Sequence, residues 1–312
     1  MQERNRLTRP PVNDWQTPDG EDPSRPTHVV AHLSDTHLTS AGVKYNTVLD
    51  SAAALDRAIA VLRSAVTAGR QLDAVVLSGD LTDTGDPDAY RRLAASVASI
   101  AGDTGDPGGP ALVFATGNHD IRTQFHRELL RRESADPILQ VHDIDGLRII
   151  ALDSTIPGAG HGRLTEDHLA ALATELSVPA PAGSVVVLHH APVPPPSPLL
   201  SYFALETSSR RALAATLAGT DVRLILAGHH HIAQSAMLGG ISVAVAGSTA
   251  IRTDPLAPAG HDRTWAGGSF NLVEVYPETI AVSVVPVDGA APVFDLDAAG
   301  CAAVIAAHPT GR

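Results

Sequence analysis

The stretch VRLILAGHHH, residues 222–231, joins a largely apolar run to three adjacent histidines. Apolar runs of this length are typical of buried strands, and the residues that follow such a strand lie at its carboxyl end. In an extended backbone alternate side chains share a face, so His229 and His231 point together while His230 points away. We therefore predict that two of these histidines are ligands of a common group, and that they are His229 and His231.

Similar apolar runs occur earlier in the chain and predict further buried strands. Because helical patterns separate the runs, they are typical of a sheet that is covered on both faces. The predicted strands are HVVAHL (28–33), AVVL (74–77), LVFA (112–115), LRIIAL (147–152) and SVVVL (184–188).

Two helices between these strands are clearly marked in the sequence. Apolar residues recur at helical spacing from Leu55 to Val66, and Gly69 is a suitable stop for that helix. Asp86 is the predicted N-cap of the next helix, because Pro87 suits a first helical turn.

The pattern changes after residue 240, where three apolar segments follow one another without a convincing helix between them. They predict a second sheet, or an antiparallel edge, packed on the first sheet. The predicted fold class is therefore α/β, a layered sandwich. We predict one domain at residues 27–288, a flexible N-terminal extension or partner-binding arm at 1–26, and a C-terminal tail of uncertain order at 289–312.

Composition narrows the possible partners and location. A formal net charge of -12 argues against stable nucleic acid binding or binding to an anionic membrane, since both need a basic surface. Cys301 is the single cysteine, which rules out an intrachain disulfide and fits a reducing compartment. No signal peptide or transmembrane span is visible. We expect a cytoplasmic protein.

Asp, Asn and His follow the predicted strands, at the end of the sheet where ligands of open α/β sheets bind. Oxygen and imidazole donors without thiolates suit Mn, Fe or Zn. Asp35 and His37 can share one ion if the backbone is extended, and Asp80 in a Gly-Asp turn can bridge two ions. The candidate residues are Asp35, His37, Asp80, Asp83, Asn118, His119, Asp120, His189, His190, His229, His230 and His231.

Each of these motifs has an ordinary structural interpretation. Asp-x-His pairs are commonly caps or surface residues, Gly-Asp and Asn-His-Asp sequences are commonly turns, and adjacent histidines can be satisfied polar residues at a strand end. Because the motifs recur at successive strand ends, their combination favours a metal site.

The motifs DTH, GDLTD, GNHD, LHH and GHHH, in this order, resemble those of the calcineurin-like metallophosphoesterases, from about Thr27 to Tyr276. The longer segments HLSDTHL, GDLTDTGDPDAY, DGLRIIALDS and TDVRLILAGHHH resemble bacterial class III cyclic-nucleotide phosphodiesterases. This resemblance implies an α/β/β/α sandwich with its metal site at the carboxyl ends of the strands.

The resemblance also implies a role for most of these side chains. His119 matches the catalytic histidine of the family, and Asp120 is predicted to be a catalytic residue together with it. Asp83 and Asp120 are also implied to orient the metal ligands or that histidine. His161, in the segment GAGHGR (158–163), is a candidate substrate contact. One ion is implied to bind Asp35, His37, Asp80 and His231, and the second is implied to bind Asp80, Asn118, His189 and His229.

The implied activity is hydrolysis of a small phosphodiester by a metal-bound hydroxide, and 3',5'-cyclic AMP is the first candidate substrate. The implied cofactors are two divalent or trivalent ions, Fe with Mn or two Mn, with Zn possible, and a homodimer is plausible. The same chemistry on 2',3'-cyclic nucleotides, glycerophosphodiesters or other phosphate esters is the first alternative. A non-catalytic metal-binding scaffold is the second.

Overall fold

The computed structural model describes residues 25–101, 109–288 and 291–307 of the chain. Thr27–Asp288 form one compact unit, and the helix Ala298–Ala307 belongs to a separate one. Most of the predicted N-terminal extension, residues 1–24, lies outside the described residues, as do residues 308–312 of the predicted tail.

The first sheet has five strands in the described residues, and the three that come first in the chain run parallel to one another. Its order is β13-β12-β1-β2-β3, and β12 runs antiparallel to β1. All side chains of β1 and β2 are buried, as their continuous apolar sequences predict. The strands are β1 (His28–Leu33), β2 (Ala74–Leu77), β3 (Ala111–Phe114), β12 (Ser269–Val275) and β13 (Ile280–Pro286).

The second sheet has six strands in the order β4-β5-β6-β7-β9-β8. Here β5, β6, β7 and β9 are parallel, and β4 and β8 are antiparallel edges. A short hairpin, β10 (Ile251–Thr253) with β11 (Thr264–Ala266), stands apart from both sheets. The strands of the second sheet are β4 (Leu139–Ile144), β5 (Leu147–Leu152), β6 (Ser184–His190), β7 (Val222–Gly228), β8 (Gln234–Leu238) and β9 (Ile241–Val245).

Most of the helices connect parallel strands of one sheet, as crossovers between parallel strands require, whereas α3 leads from the first sheet to the second and α7 follows the last strand. Asp50 caps α1 and Asp86 caps α2, the second as predicted. The helices are α1 (Ser51–Thr67), α2 (Pro87–Ala98), α3 (Arg122–Glu128), α4 (Glu166–Glu175), α5 (Pro198–Tyr202), α6 (Thr207–Leu217) and α7 (Ala298–Ala307).

The side chains of β6 show how the layers are packed. Val185 and Val187 join a core with residues of the first sheet, whereas Val186 and Leu188 join a core with α4 and α6. One face of the second sheet therefore packs on the first sheet and the other packs on helices. This confirms the α/β/β/α sandwich.

The predicted allocation of strands to sheets was wrong in one respect. The early apolar runs do not form a single sheet, because β1–β3 belong to one sheet and β5–β7 to the other. The late strands do not form a sheet of their own, because β9 extends the second sheet. The alternative prediction of an antiparallel edge is confirmed by β12 and β13, which form such an edge of the first sheet. A strand buried on both faces has the same apolar sequence in either sheet, so periodicity could not separate them.

In the described parts of the chain, no helix combines the length and the apolar composition that crossing a membrane requires.

Asp86 connects the start of α2 to a loop that precedes α1. Its carboxylate accepts hydrogen bonds from the backbone N–H of Asp88 and Ala89 and from the Ser40 hydroxyl. We expect Asp86→Ala to lower the free energy of unfolding by about 1 kcal/mol, within the range of N-cap deletions. Urea denaturation measures this loss. Asp86→Asn keeps an acceptor oxygen and should lose less, so equal losses in the two variants would contradict the capping role.

Candidate metal centre

The centre lies where the carboxyl ends of strands from both sheets meet. The His189 ring, at the end of β6, donates from Nδ1 to the carbonyl oxygen of Ser78, which follows β2, at 2.9 Å. Beyond β7, the backbone N–H of His229 donates to Asp35 Oδ2, beyond β1, at 2.9 Å. These contacts place residues from distant parts of the sequence in one buried cluster.

The first ligand group consists of Asp35, His37, Asp80 and His231, whose donor atoms all lie within 4.8 Å of one another. His231 Nε2 is 3.1 Å from Asp35 Oδ1 and 3.0 Å from His37 Nε2. His37 Nε2 also lies 3.7 Å from Asp80 Oδ2. Two imidazole nitrogens and two carboxylate oxygens thus face a common point, as ligands of one cation do.

The second ligand group consists of Asp80, His189 and His229. His189 Nε2 lies 3.3 Å from Asp80 Oδ2 and 3.2 Å from His229 Nδ1. The same oxygen of Asp80 therefore faces His37 of the first group and His189 of the second. A carboxylate in this position suits a bridge between two ions.

Asn118 is positioned to add an oxygen donor to this centre. The next residue, His119, donates its backbone N–H to Asp80 Oδ1 at 2.8 Å, which holds this turn against Asp80. Within the described chain, Asn118 Oδ1 is buried and has no hydrogen-bond partner. A buried carbonyl oxygen without a partner is costly unless a cation or water satisfies it, so the residues present fit a metal.

The outer nitrogens of the histidines are engaged in ways that fix the rings. The His189 Nδ1–H donates to Ser78, and the His229 Nε2–H donates to the carbonyl oxygen of Phe203 at 2.9 Å. The His37 Nδ1 lies 3.6 Å from Asp83 Oδ1, which is too far for a hydrogen bond. Carbonyl partners such as those of His189 and His229 orient metal-binding histidines and direct the other ring nitrogen toward the ion.

The clustering has a different backbone cause from the one predicted. Asp35 and His37 have φ of 52° and 42°, and His229 and His231 have φ of 71° and 52°, so neither segment is extended. The alternation argument was therefore wrong, although the paired side chains do converge. Asp80 shares the left-handed conformation, with φ of 49°. Non-glycine residues rarely adopt it, and it concentrates at functional sites.

Glycines permit the close approach of these segments. A Cβ on Gly117 would collide with the backbone nitrogen of Asp80, and a Cβ on Gly228 would collide with the Ser34 side chain. Each glycine lies just before candidate ligands in the sequence, at Asn118 and His229. The motifs GNHD and GHHH therefore need glycine because a side chain at either position would not fit.

His190 and His230 lie outside the two ligand groups of the described residues. His190 bonds to the Ser154 hydroxyl and to the Gly160 carbonyl, and burial followed by the charge of His189 lowers its pKa to about 3. The His230 ring bonds to Gln234 Oε1 at 2.9 Å, and burial lowers its pKa. Both rings are neutral structural residues at neutral pH.

The electrostatics of the ligand groups suit a cation. Burial favours a raised pKa for Asp35, but His231 and His189 outweigh it and hold the pKa below its ordinary value. His189 and His37 do the same for the pKa of Asp80. Burial lowers the pKa of both His37 and His229. Burial acts to lower the pKa of His189, but Asp80 raises it to about 9, so metal binding there displaces a proton. The centre thus offers ionised carboxylates, the neutral imidazoles of His37 and His229, and a third imidazole that releases its proton to bind a metal.

His119 borders the ligand groups on the solvent side, where its side chain is 39% exposed. Its Nδ1–H donates to the backbone carbonyl of Asp83 at 2.9 Å, and Asp83 Oδ1 is 3.5 Å from the same nitrogen. Burial acts to lower the pKa of His119, but Asp80 and Asp83 raise it above its ordinary value. Asp83 lies between His37 and His119, where it can orient both rings.

Asp120 was predicted to be catalytic together with His119, but its contacts are of another kind. Its carboxylate accepts from the backbone N–H groups of Gly117, Leu81 and Thr82 and from the Tyr90 hydroxyl. These bonds join the turn that carries His119 to the loop after Asp80 and to α2. The carboxylate of Asp120 therefore positions the turn.

His161 is not brought into either ligand group of the described residues. Its Nε2 lies 3.7 Å from Glu206 Oε1, and the same carboxylate is paired with Arg163. Tyr45 was missed by the sequence analysis: its ring stacks on His37 with centroids 4.7 Å apart. Nothing in the local sequence of Tyr45 marks this contact, because it depends on how the loop before α1 folds back.

Carboxylate and imidazole donors gathered at the carboxyl edge of an α/β/β/α sandwich are typical of metal-dependent hydrolases. Residues 28–233 match the family model for calcineurin-like phosphoesterases, and the chain belongs to that family.

Two relatives of similar length have names that state a substrate class. A Rhodococcus erythropolis protein named probable cyclic nucleotide phosphodiesterase is 44% identical over 264 residues, 84% of this chain and 84% of that protein. A Mycobacterium tuberculosis protein named cAMP/cGMP dual specificity phosphodiesterase is 41% identical over 267 residues, 85% of this chain and 81% of that protein.

The solved structure of a purple acid phosphatase from yellow lupin is similar in fold. It has a TM-score of 0.61 and 13% identity, and the match covers 85% of this chain and 52% of that one. At this identity the likeness concerns the fold alone.

The three adjacent histidines provide a matched test of the ligand groups. We expect the wild type to retain about two Mn ions per chain after dialysis, and His229→Ala and His231→Ala each to retain fewer, because each loses a donor. His230→Ala should keep the metal and lose thermal stability, because Gln234 loses its partner. Elemental analysis with thermal denaturation separates these outcomes. Equal metal loss in all three variants would contradict the assignment.

Proposed function

We propose that this chain is a phosphodiesterase that uses two metal ions to hydrolyse 3',5'-cyclic nucleotides, with cyclic AMP as its first substrate. The observation that carries the proposal is the Asp80 carboxylate, whose Oδ2 faces both ligand groups, with His119 on their solvent side. The names of the Rhodococcus and Mycobacterium relatives support the same substrate class.

The metal ligands are proposed to be Asp35, His37, Asp80 and His231 for one ion and Asp80, Asn118, His189 and His229 for the other. When bound, such ions neutralise phosphate oxygens and lower the pKa of coordinated water. Fe with Mn, or two Mn, suit these oxygen and imidazole donors, and Zn is the further candidate. A cytoplasmic location and a homodimer remain predictions.

His119 is the proposed general acid. Its Nδ1 hydrogen is engaged by the Asp83 carbonyl, so Nε2 is the nitrogen left to meet the substrate. Because Asp80 and Asp83 raise its pKa, the ring holds a second proton more readily than a free imidazole does. That proton can pass from Nε2 to the ester oxygen as the P–O bond breaks. Asp83 and Asp120 keep the ring in place through the contacts described above.

We expect His119→Ala to lower kcat for cyclic AMP by about 10²- to 10⁴-fold, the usual contribution of a general acid, with the metal content unchanged. Steady-state rates and elemental analysis on the same preparations measure this. His142→Ala, on the edge strand β4, is the control histidine variant and should retain wild-type kcat. The role fails if His119→Ala keeps wild-type turnover, or if it loses the metal.

Removal of metal should abolish turnover, and added Mn²⁺ should restore it. Among 3',5'-cyclic AMP, 2',3'-cyclic AMP, glycerophosphocholine and bis(p-nitrophenyl) phosphate, we expect the highest kcat/KM for 3',5'-cyclic AMP. A higher value for another ester would move the assignment to that substrate. No turnover of any ester by the Mn-loaded wild type would favour the scaffold alternative.

A further inference from the structure

A cleft of about 530 Å³ opens directly beside His119, and we refer to it as the side cleft. Its volume lies within the range of small-molecule sites. Asn118 and His119 line one end, so the side cleft begins at the metal centre and leads away from it. Its other lining residues are Asp83, Thr84, Asp120, Ile121, Arg122, Thr123, Ala135, Thr155, Ile156, Pro157 and Gly158.

Apolar side chains lie along the side cleft. Ile121 is 47% exposed although it follows the His119–Asp120 turn directly. Across the side cleft, Ile156 is half-buried and Pro157 is exposed. An apolar surface next to a strongly polar centre is typical of a site that binds the non-reacting part of a substrate.

Arg122 holds the two sides of the side cleft together. Its Nε donates to Asp153 Oδ2 at 2.9 Å, and its Nη2 donates to the carbonyl and hydroxyl oxygens of Thr155 at 3.0 and 3.2 Å. Asp153 is fully buried and also accepts from the Thr155 backbone N–H. Since Arg122 begins α3 just after His119, this network fixes Ile156 relative to His119.

We propose that the side cleft is the subsite for the sugar and base of a cyclic nucleotide, with Ile121 and Ile156 as its specificity-determining residues. Arg122 is the positioning residue that holds its wall. The inference rests on the proposed function, because the side cleft shares Asn118 and His119 with the centre at which the phosphate is proposed to bind.

The lining also indicates how the base is selected. The carboxylate of Asp120 is engaged by backbone N–H groups, and Asp83 faces the rings of His37 and His119. The threonines of the lining are the other side chains that could bond to a base. The hydroxyl of Thr155 is already bonded to Arg122 and Asp153. The side cleft therefore selects by shape, and apolar pockets discriminate by about 10- to 200-fold, far less than sites built on hydrogen bonds. Adenine and guanine cyclic nucleotides should differ within that range.

The test compares KM and kcat for 3',5'-cyclic AMP in Mn-loaded wild type, Ile156→Ala, Ile156→Leu and Ile121→Ala. We expect KM to rise about 10-fold or more in the two alanine variants, with a smaller change in kcat, because lost apolar contact weakens binding. Ile156→Leu should recover most of the affinity. Arg122→Lys keeps the charge but loses the forked hydrogen bonds, and it should raise KM more than it lowers kcat.

Inorganic phosphate and adenosine serve as separate probes. Phosphate engages the metal centre alone, so its inhibition constant should be unchanged in Ile156→Ala, whereas inhibition by adenosine should weaken. Val178→Ala, at an exposed position outside the side cleft, is the control and should match the wild type.

The outcomes separate the two proposals. Cyclic AMP hydrolysis with unchanged KM in both alanine variants would overturn the subsite and leave the proposed function intact. A rise in KM matched by an equal loss of phosphate inhibition would also overturn the subsite, because the metal centre itself would then be disturbed. No hydrolysis of cyclic AMP by the wild type would overturn the proposed function, and the subsite with it.

Discussion

The carboxylate of Asp80 is the group on which the rest of the centre depends. Its Oδ2 faces His37 and His189, and its Oδ1 accepts the backbone N–H of His119. One side chain thus links the ends of β1, β2, β3 and β6, which belong to both sheets. The packing of the two sheets and the chemistry of the centre are coupled through this residue, because a shift of one sheet would separate its partners.

The centre is held in a strained backbone by the rigid sandwich beneath it. Asp35, His37, Asp80, His229 and His231 all have left-handed φ values, which cost free energy unless the surroundings impose them. Two backbone hydrogen bonds impose these φ values on one side of the centre. The N–H of Asp35 donates to the Gly79 carbonyl, and the N–H of His37 donates to the Asp80 carbonyl. The His229 N–H bond to Asp35 imposes them on the other. The buried strands therefore stabilise a geometry that short loops would not keep.

The fold alone does not determine what is hydrolysed, since one architecture hosts different reactions. In this chain, we propose that the chemistry lies in the shared carboxylate and His119, and we infer that selection lies in Ile121 and Ile156 along the side cleft. The two sets are joined by Arg122, whose bonds to Asp153 and Thr155 connect the catalytic turn to the cleft wall. Substitutions in the wall of the side cleft can therefore change substrate preference without removing the candidate metal ligands.

The sequence by itself determined the element types, the buried strands and the donor residues at their ends, because apolar periodicity and polar residues after it are local signals. It could not assign β1–β3 and β5–β7 to different sheets, since strands buried on both faces look alike in either. It also gave the wrong reason for pairing His229 with His231. Only the tertiary structure decided the left-handed turns and the stacking of Tyr45 on His37, because these depend on contacts between residues far apart in the chain.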